Sequence, residues 1–165
     1  MDLPIRKRTR LKNYDYSTPG KYFVTVCVKN KKALLCRIVG CGDFDAPQMI
    51  LSEYGRTLDE CINLMNNNCS HICVDKYVIM PNHFHLILSI NNRGDGSSET
   101  AEPYNNTVSK FVSLLKRRCN REYGKPVWQR SFHDHIIRGE KDYLKIWEYI
   151  DTNVFKWNAD CFYVE

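Results

Sequence analysis

No run of apolar residues in the 165-residue chain approaches the ~20 needed to cross a bilayer, so a membrane-spanning helix is excluded from the outset. There is no Cys-x-x-Cys pair either. Eight cysteines without such pairs, and without an export signal, do not make a disulfide framework. The opening Met1-Asp2-Leu3-Pro4-Ile5-Arg6-Lys7-Arg8-Thr9-Arg10 is basic with no apolar segment behind it, so no secretory signal is expected and the protein is placed in the cytoplasm. Internal repeats are lacking, and residues 1–165 read as a single domain of ordinary size. Cys27, Cys61 and Cys119 fall among apolar residues, where a reduced thiol serves as a small hydrophobe. Cys69-Ser70-His71-Ile72-Cys73 has ligand types suited to zinc but no source for a fourth ligand, so no zinc site is expected there.

What is present is a globular composition, 43% hydrophobic and 26% charged, with a net charge of +5. The positive charge is uneven. Arg6, Lys7, Arg8, Arg10 and Lys12 crowd a basic arm over residues 1–19, and Lys110, Lys116, Arg117, Arg118 and Arg121 crowd a later helix. Two basic clusters suit a polyanionic partner, although solvated faces that keep a protein soluble look the same.

The most informative stretch is Met80-Pro81-Asn82-His83-Phe84-His85-Leu86-Ile87-Leu88. Side chains alternate along a strand, so His83 and His85 point one way and Phe84 the other. Two adjacent imidazoles on a buried face need something to satisfy their nitrogens. Hydrogen bonds to neighbours at a strand end would do so, and so would one metal ion held by both rings.

Around this motif the hydrophobic pattern predicts a central strand over 21–28, a hairpin of 34–39 with 48–51 appended to it, and a helix from a Ser52 cap to about residue 67. Strands over 72–80 and 83–90 flank a tight Pro81-Asn82 turn. A flexible loop spans 91–107. A helix over 108–123 turns Phe111, Val112, Leu114 and Leu115 inward and leaves its lysines and arginines in water; a strand over 127–138 and a helix over 140–157 follow. Without the hairpin and the last helix the order is βαββαβ. The fold class is therefore α+β, a ferredoxin-like antiparallel sheet with helices on one face, plus an inserted hairpin and a C-terminal helix.

On that last helix Tyr143, Trp147, Ile150, Val154 and Trp157 form a stripe expected to face the core. Tyr149 and Asn153 lie off it, four residues apart on one flank. They are either a half-exposed aromatic and a solvated amide, or a flank facing the histidine pair, with a phenol nucleophile beside a metal and the Asn153 oxygen as a third ligand.

Met80-Pro81-Asn82-His83-Phe84-His85, Trp128-Gln129-Arg130-Ser131-Phe132-His133-Asp134-His135-Ile136-Ile137-Arg138 and Tyr149-Ile150-Asp151-Thr152-Asn153 together resemble the single-tyrosine HUH transposases of small insertion sequences, and among them the REP-associated tyrosine transposases. Arg10-Leu11-Lys12-Asn13-Tyr14-Asp15-Tyr16-Ser17 with Pro19-Gly20-Lys21-Tyr22-Phe23-Val24-Thr25 resembles their amino-terminal signature, so the likeness runs from about Arg8 to Trp157.

The resemblance implies cleavage and rejoining of single-stranded, hairpin-containing DNA through a 5′-phosphotyrosine, with Mg²⁺ or Mn²⁺ as cofactor. His83, His85 and Asn153 would hold the metal, and Tyr149 would be the nucleophile. A phenol with a pKa near ~10 needs such help to attack a phosphodiester at neutral pH. Asp134 and His135 would be hydrogen-bonded support rather than ligands. Arg8, Arg10, Lys110, Lys116, Arg117, Arg118 and Arg130 would contact DNA phosphates, and Trp128 and Tyr104 are candidates to stack on unpaired bases, Trp128 equally a core residue. A nucleoid-associated protein is implied, with a homodimer compatible. Where the family commonly has proline after the asparagine this chain has Val154, which should let the helix continue unbroken. Two alternatives stand beside this reading. One is a protein of the same fold that binds hairpin DNA without cutting it; the other is a ferredoxin-like RNA-binding module, which would place aromatics rather than histidines on its central strands.

Overall fold

A computed structural model describes residues 18–40, 46–91 and 107–163. Most of the basic arm with Arg8 and Arg10, and residues 92–106 with Tyr104, where a loop was expected, lie outside the described residues. Strands β1 (Gly20–Cys27), β4 (Ile72–Ile79), β5 (His83–Ile90) and β6 (His133–Ile137) form one antiparallel sheet in the order β4-β5-β1-β6. Strands β2 (Cys36–Val39) and β3 (Gln48–Leu51) pair only with each other, so the expected hairpin is a separate small sheet rather than an extension of the first. Helix α1 (Glu53–Asn68) follows β3, α2 (Thr107–Glu122) precedes β6, and α3 (Glu140–Thr152) follows it. No helix among the described residues is long and apolar enough to cross a membrane.

Alternation sorts the sheet into two faces. Tyr22, Val24 and Val26 of β1 and Phe84, Leu86, Leu88 and Ile90 of β5 pack against Leu58, Ile62 and Met65 of α1 and Phe111, Val112 and Leu115 of α2. The opposite face buries Val78, Met80, Ile87 and Ile137 against Ile146 and Ile150 of α3 and against Trp157. Thus α1 and α2 lie together on one side, as the βαββαβ plan requires, and α3 lies alone on the other.

Ser52 caps α1, its hydroxyl accepting from the Gly55 amide at 3.1 Å while reaching the Leu34 and Leu35 carbonyls. The Pro81-Asn82 turn is gripped by both neighbouring segments: the Val28 amide donates to the Asn82 carbonyl at 2.8 Å and the Leu35 amide to the Pro81 carbonyl at 3.0 Å.

Four sequence expectations are corrected. Leu114 is 49% exposed, because α2 turns Val108, Phe111, Val112, Leu115 and Cys119 inward instead. The last strand is only His133–Ile137. The Lys116 ammonium, expected in water, instead donates to the carbonyls of Gln129 at 2.9 Å and Ser131 at 3.0 Å; that draws 129–131 out of the ladder after one bridge between Val28 and Trp128. The expected stripe of Tyr143, Trp147, Ile150, Val154 and Trp157 does pack on the core, but it omits two buried residues, Ile146 in α3 and Asn153 just past its end, while Tyr143, Trp147 and Val154 are only half-buried. Finally, α3 stops at Thr152 without a proline, and 3-10 turns span Val154–Ala159. The Thr152 hydroxyl donates back to the Glu148 carbonyl at 3.0 Å, a bond that bends helices, and Asn153 is a poor helix former.

Candidate active site

Strand β5 is buried at every position, including the histidines. His83 and His85 project from the α3 face with their Nε2 atoms 3.0 Å apart. Each ring is held from behind: His83 Nδ1 lies 2.8 Å from Asn82 Oδ1, and His85 Nδ1 lies 2.8 Å from Thr25 Oγ1. Phe23 stacks on His85 with centroids 5.1 Å apart, and Trp157 and Phe162 enclose His83 with centroids 6.1 and 4.6 Å away. Burial lowers the His83 pKa to about 4, opposed by the charge of Asp160, and burial with the His83 charge lowers His85 well below the ordinary range. Both rings are therefore neutral at pH 7, each with one nitrogen free of a proton.

Asp160 completes a set. Its Oδ2 lies 3.9 Å from His83 Nε2, and the candidate ligand atoms of His83, His85 and Asp160 all fall within 4.8 Å of one another. Among the described residues this is the one group of three or more such side chains able to hold a metal ion, and the Cys69 to Cys73 segment forms none. Two imidazoles and a carboxylate suit a divalent cation.

The Tyr149 phenol oxygen lies 3.4 Å from His85 Nε2, its ring edge-on to Phe23 and His85. Tyr149 is 38% exposed, so one side of the phenol is open to solvent. Burial and the Asp160 carboxylate raise its pKa, while a hydrogen bond from Asn153 opposes the rise. Asn153 itself is buried rather than solvated, and its Oδ1 has no hydrogen-bond partner. A buried acceptor without a donor is the kind of atom a cation would satisfy. Tyrosine and histidines come from one chain, so no second copy is needed to bring them together.

The supporting residues lie farther out. His135 Nε2 is 2.9 Å from Asp142 Oδ2, tying β6 to the start of α3, and Asp134 is its half-buried neighbour. Pairing of Thr25 with both His85 and His133 puts β6 one strand beyond the histidine pair. Trp128 is 4% exposed and packs perpendicular to Phe84, which makes it a core residue unavailable for stacking on DNA. Lys110 and Arg117 are exposed on α2, and Arg118 lines a groove with Glu60 and Glu122, all on the helical side of the sheet opposite Tyr149. Lys116 is committed to carbonyls and its pKa is pushed down to about 8 by burial. Arg130 is exposed at the sheet end nearest His83, since the adjacent Gln129 amide donates to the carbonyl of Cys27, the partner of His83.

Asp160, Asn82, Thr25 and Phe162 were not assigned to the site from the sequence. Asn82 had a signal, being inside the His-x-His motif beside a proline. Asp160 and Phe162 had none, because they reach the histidines only through the turn that ends α3.

No protein-family model matches the chain. A Haemophilus influenzae protein named "Uncharacterized protein" is 35% identical over 176 residues, covering 97% of this chain and 94% of that relative. A REP-associated tyrosine transposase of Escherichia coli K12 is 23% identical over 141 residues, 86% of this chain and 70% of that protein. The structure of a REP-associated tyrosine transposase bound to a REP hairpin superposes with a TM-score of 0.62 at 22% identity, covering 89% of this chain and 73% of that one, a likeness of fold.

Proposed function

We propose that the chain, which is similar to REP-associated tyrosine transposases, cuts and rejoins single-stranded, hairpin-containing DNA with Tyr149 as the nucleophile. The observation that carries this reading is the Tyr149 oxygen 3.4 Å from His85 Nε2, beside two neutral imidazoles and a carboxylate. His83, His85 and Asp160 would hold Mg²⁺ or Mn²⁺, with the unpartnered Asn153 Oδ1 the next available oxygen. Two nitrogen donors favour Mn²⁺, since Mg²⁺ prefers oxygen and parts with its water reluctantly. A bound cation would neutralise charge on the scissile phosphodiester and orient it for in-line attack.

In the reaction, the Tyr149 oxygen bonds to phosphorus as the bond from phosphorus to the 3′ oxygen breaks. The phenol gives up its proton and the departing 3′ oxygen takes one, leaving a free 3′ hydroxyl and a 5′-phosphotyrosine. Attack by a 3′ hydroxyl on that ester reverses the step and rejoins a strand. Lys110, Arg117 and Arg118 sit on the far side of the sheet and would hold the hairpin stem. Arg130, at the histidine end, would meet the cleaved strand, and Arg8 and Arg10 would add contacts from the arm.

The test is incubation of the protein with labelled single-stranded hairpin DNA and Mn²⁺, followed by denaturing electrophoresis and mass spectrometry. An adduct is expected on Tyr149, and Tyr149→Phe should lose it while binding the hairpin with unchanged affinity. The second reading, a hairpin-binding protein that does not cut, draws on His83 being fully buried beneath Trp157 and Phe162. Binding without any adduct from the wild-type protein would select it.

A further inference from the structure

The side chain of Asn82 is 1% exposed, and its partners leave it one orientation. Its Nδ2 donates to the Phe162 carbonyl at 2.7 Å and the Lys31 carbonyl at 3.2 Å. Both partners are acceptors only, so exchanging the amide nitrogen and oxygen would set three oxygens against one another without a proton. Oδ1 must therefore be the atom facing His83 Nδ1 at 2.8 Å, and that nitrogen must carry the ring proton. The bare nitrogen of His83 is then Nε2, the one aimed at His85 and Asp160.

Thr25 lacks this constraint. Its hydroxyl, 2.8 Å from His85 Nδ1, either donates or accepts by rotating. With His83 Nε2 bare and only 3.0 Å from His85 Nε2, the proton between them belongs to His85, and Thr25 donates to His85 Nδ1. For both Nε2 atoms to face one cation, His85 must lose its Nε2 proton to solvent and take one up on Nδ1, with no net change in charge. Thr25 then accepts instead of donating.

We propose that Asn82 is the positioning residue of this site, locking His83 in the Nδ1–H tautomer with its Nε2 ready for a metal ion, while Thr25 acts as a swivel that lets His85 exchange tautomers as the ion enters. The proposal rests on the reading of His83 and His85 as ligands of a divalent cation. It adds which protons move and which residues govern them. Because Asn82 also holds the Phe162 carbonyl, the same amide ties the chain that covers His83 to the orientation of its ring.

Long-range ¹H–¹⁵N correlation on the metal-free 165-residue chain reads the tautomers directly. His83 is expected with its proton on Nδ1 and His85 with its proton on Nε2; addition of Zn²⁺, as a diamagnetic probe, should move only the His85 proton. A His83 proton on Nε2 in the metal-free protein would overturn the proposal without any variant being made. Mn²⁺ titration followed by electron paramagnetic resonance gives the second readout: Asn82→Ala should raise Kd by about 10- to 100-fold, and Thr25→Ser, which keeps the hydroxyl, should bind like wild type. Unchanged Mn²⁺ affinity in a folded Asn82→Ala protein would sink the lock while leaving the metal reading intact. Failure of the wild-type protein to bind either ion would instead remove the metal reading, and the proposal with it.

Discussion

His83 and His85 illustrate what burial does to a residue that is ordinarily a switch at physiological pH. In the unfolded chain each imidazole takes a proton near pH 6.5, but in the fold desolvation keeps His83 neutral down to about 4 and holds His85 well below its ordinary value. Between these values the unfolded state binds more protons than the folded one, so stability is complete above pH 6.5 and is lost as pH falls toward 4. Asp75 acts in the same direction but lower: despite burial, hydrogen bonds from Lys21, Ser89 and Tyr143 lower its pKa, so its contribution is lost only below about 3.8. The urea midpoint should therefore drop between pH 7 and pH 5, and a flat profile over that range would contradict neutral buried histidines. That His83 and His85 share a face was legible from strand alternation alone. That Asn82 and Thr25 stand behind them was not, because one partner comes from the turn and the other from a strand 60 residues away.

Elements obeyed local rules wherever the chain met no distant partner. The Ser52 cap is where the sequence put it, and α1 runs one residue past its expected end. Its first turn is also where a local rule fails. Alanine is a better helix former than glycine by about 1 kcal/mol, so Gly55→Ala would stabilise an isolated helix. Here a Cβ on Gly55 would collide with the Leu35 carbonyl, which accepts from the amide of the Ser52 cap. Gly55→Ala should instead destabilise the protein by roughly 1–3 kcal/mol in a denaturant titration. A neutral or stabilising outcome would mean that β2 is not docked there. Strand β6 and helix α3 were overread for a related reason. The pattern extended both elements, but Lys116 withdraws the chain before β6, and Asn153 turns inward to end α3.

Across the whole molecule the sheet separates two kinds of chemistry, with Tyr149, His83, His85 and Asp160 on the α3 side and the cations of α2 on the other. If both sides engage one nucleic acid, binding must weaken with salt through release of counterions, log K falling by ~0.7 to 0.9 per tenfold rise in salt for each phosphate contacted. Fluorescence anisotropy with a labelled hairpin should show that Lys110→Gln with Arg117→Gln lowers the salt slope by about 1.4 to 1.8 and leaves the Tyr149 adduct intact on prolonged incubation. An unchanged slope would place the stem elsewhere. Periodicity and motif spacing by themselves determined the order βαββαβ and the shared face of the histidines, because alternation and helical phase are properties of the local backbone. Tertiary structure alone decided that Asp160 joins the histidines, that Asn153 is buried, that Trp128 is core and that Lys116 is committed to carbonyls. Each of those depends on where a remote segment packs, and the free energy of burial and hydrogen bonding that settles it exists only once the chain has closed on itself.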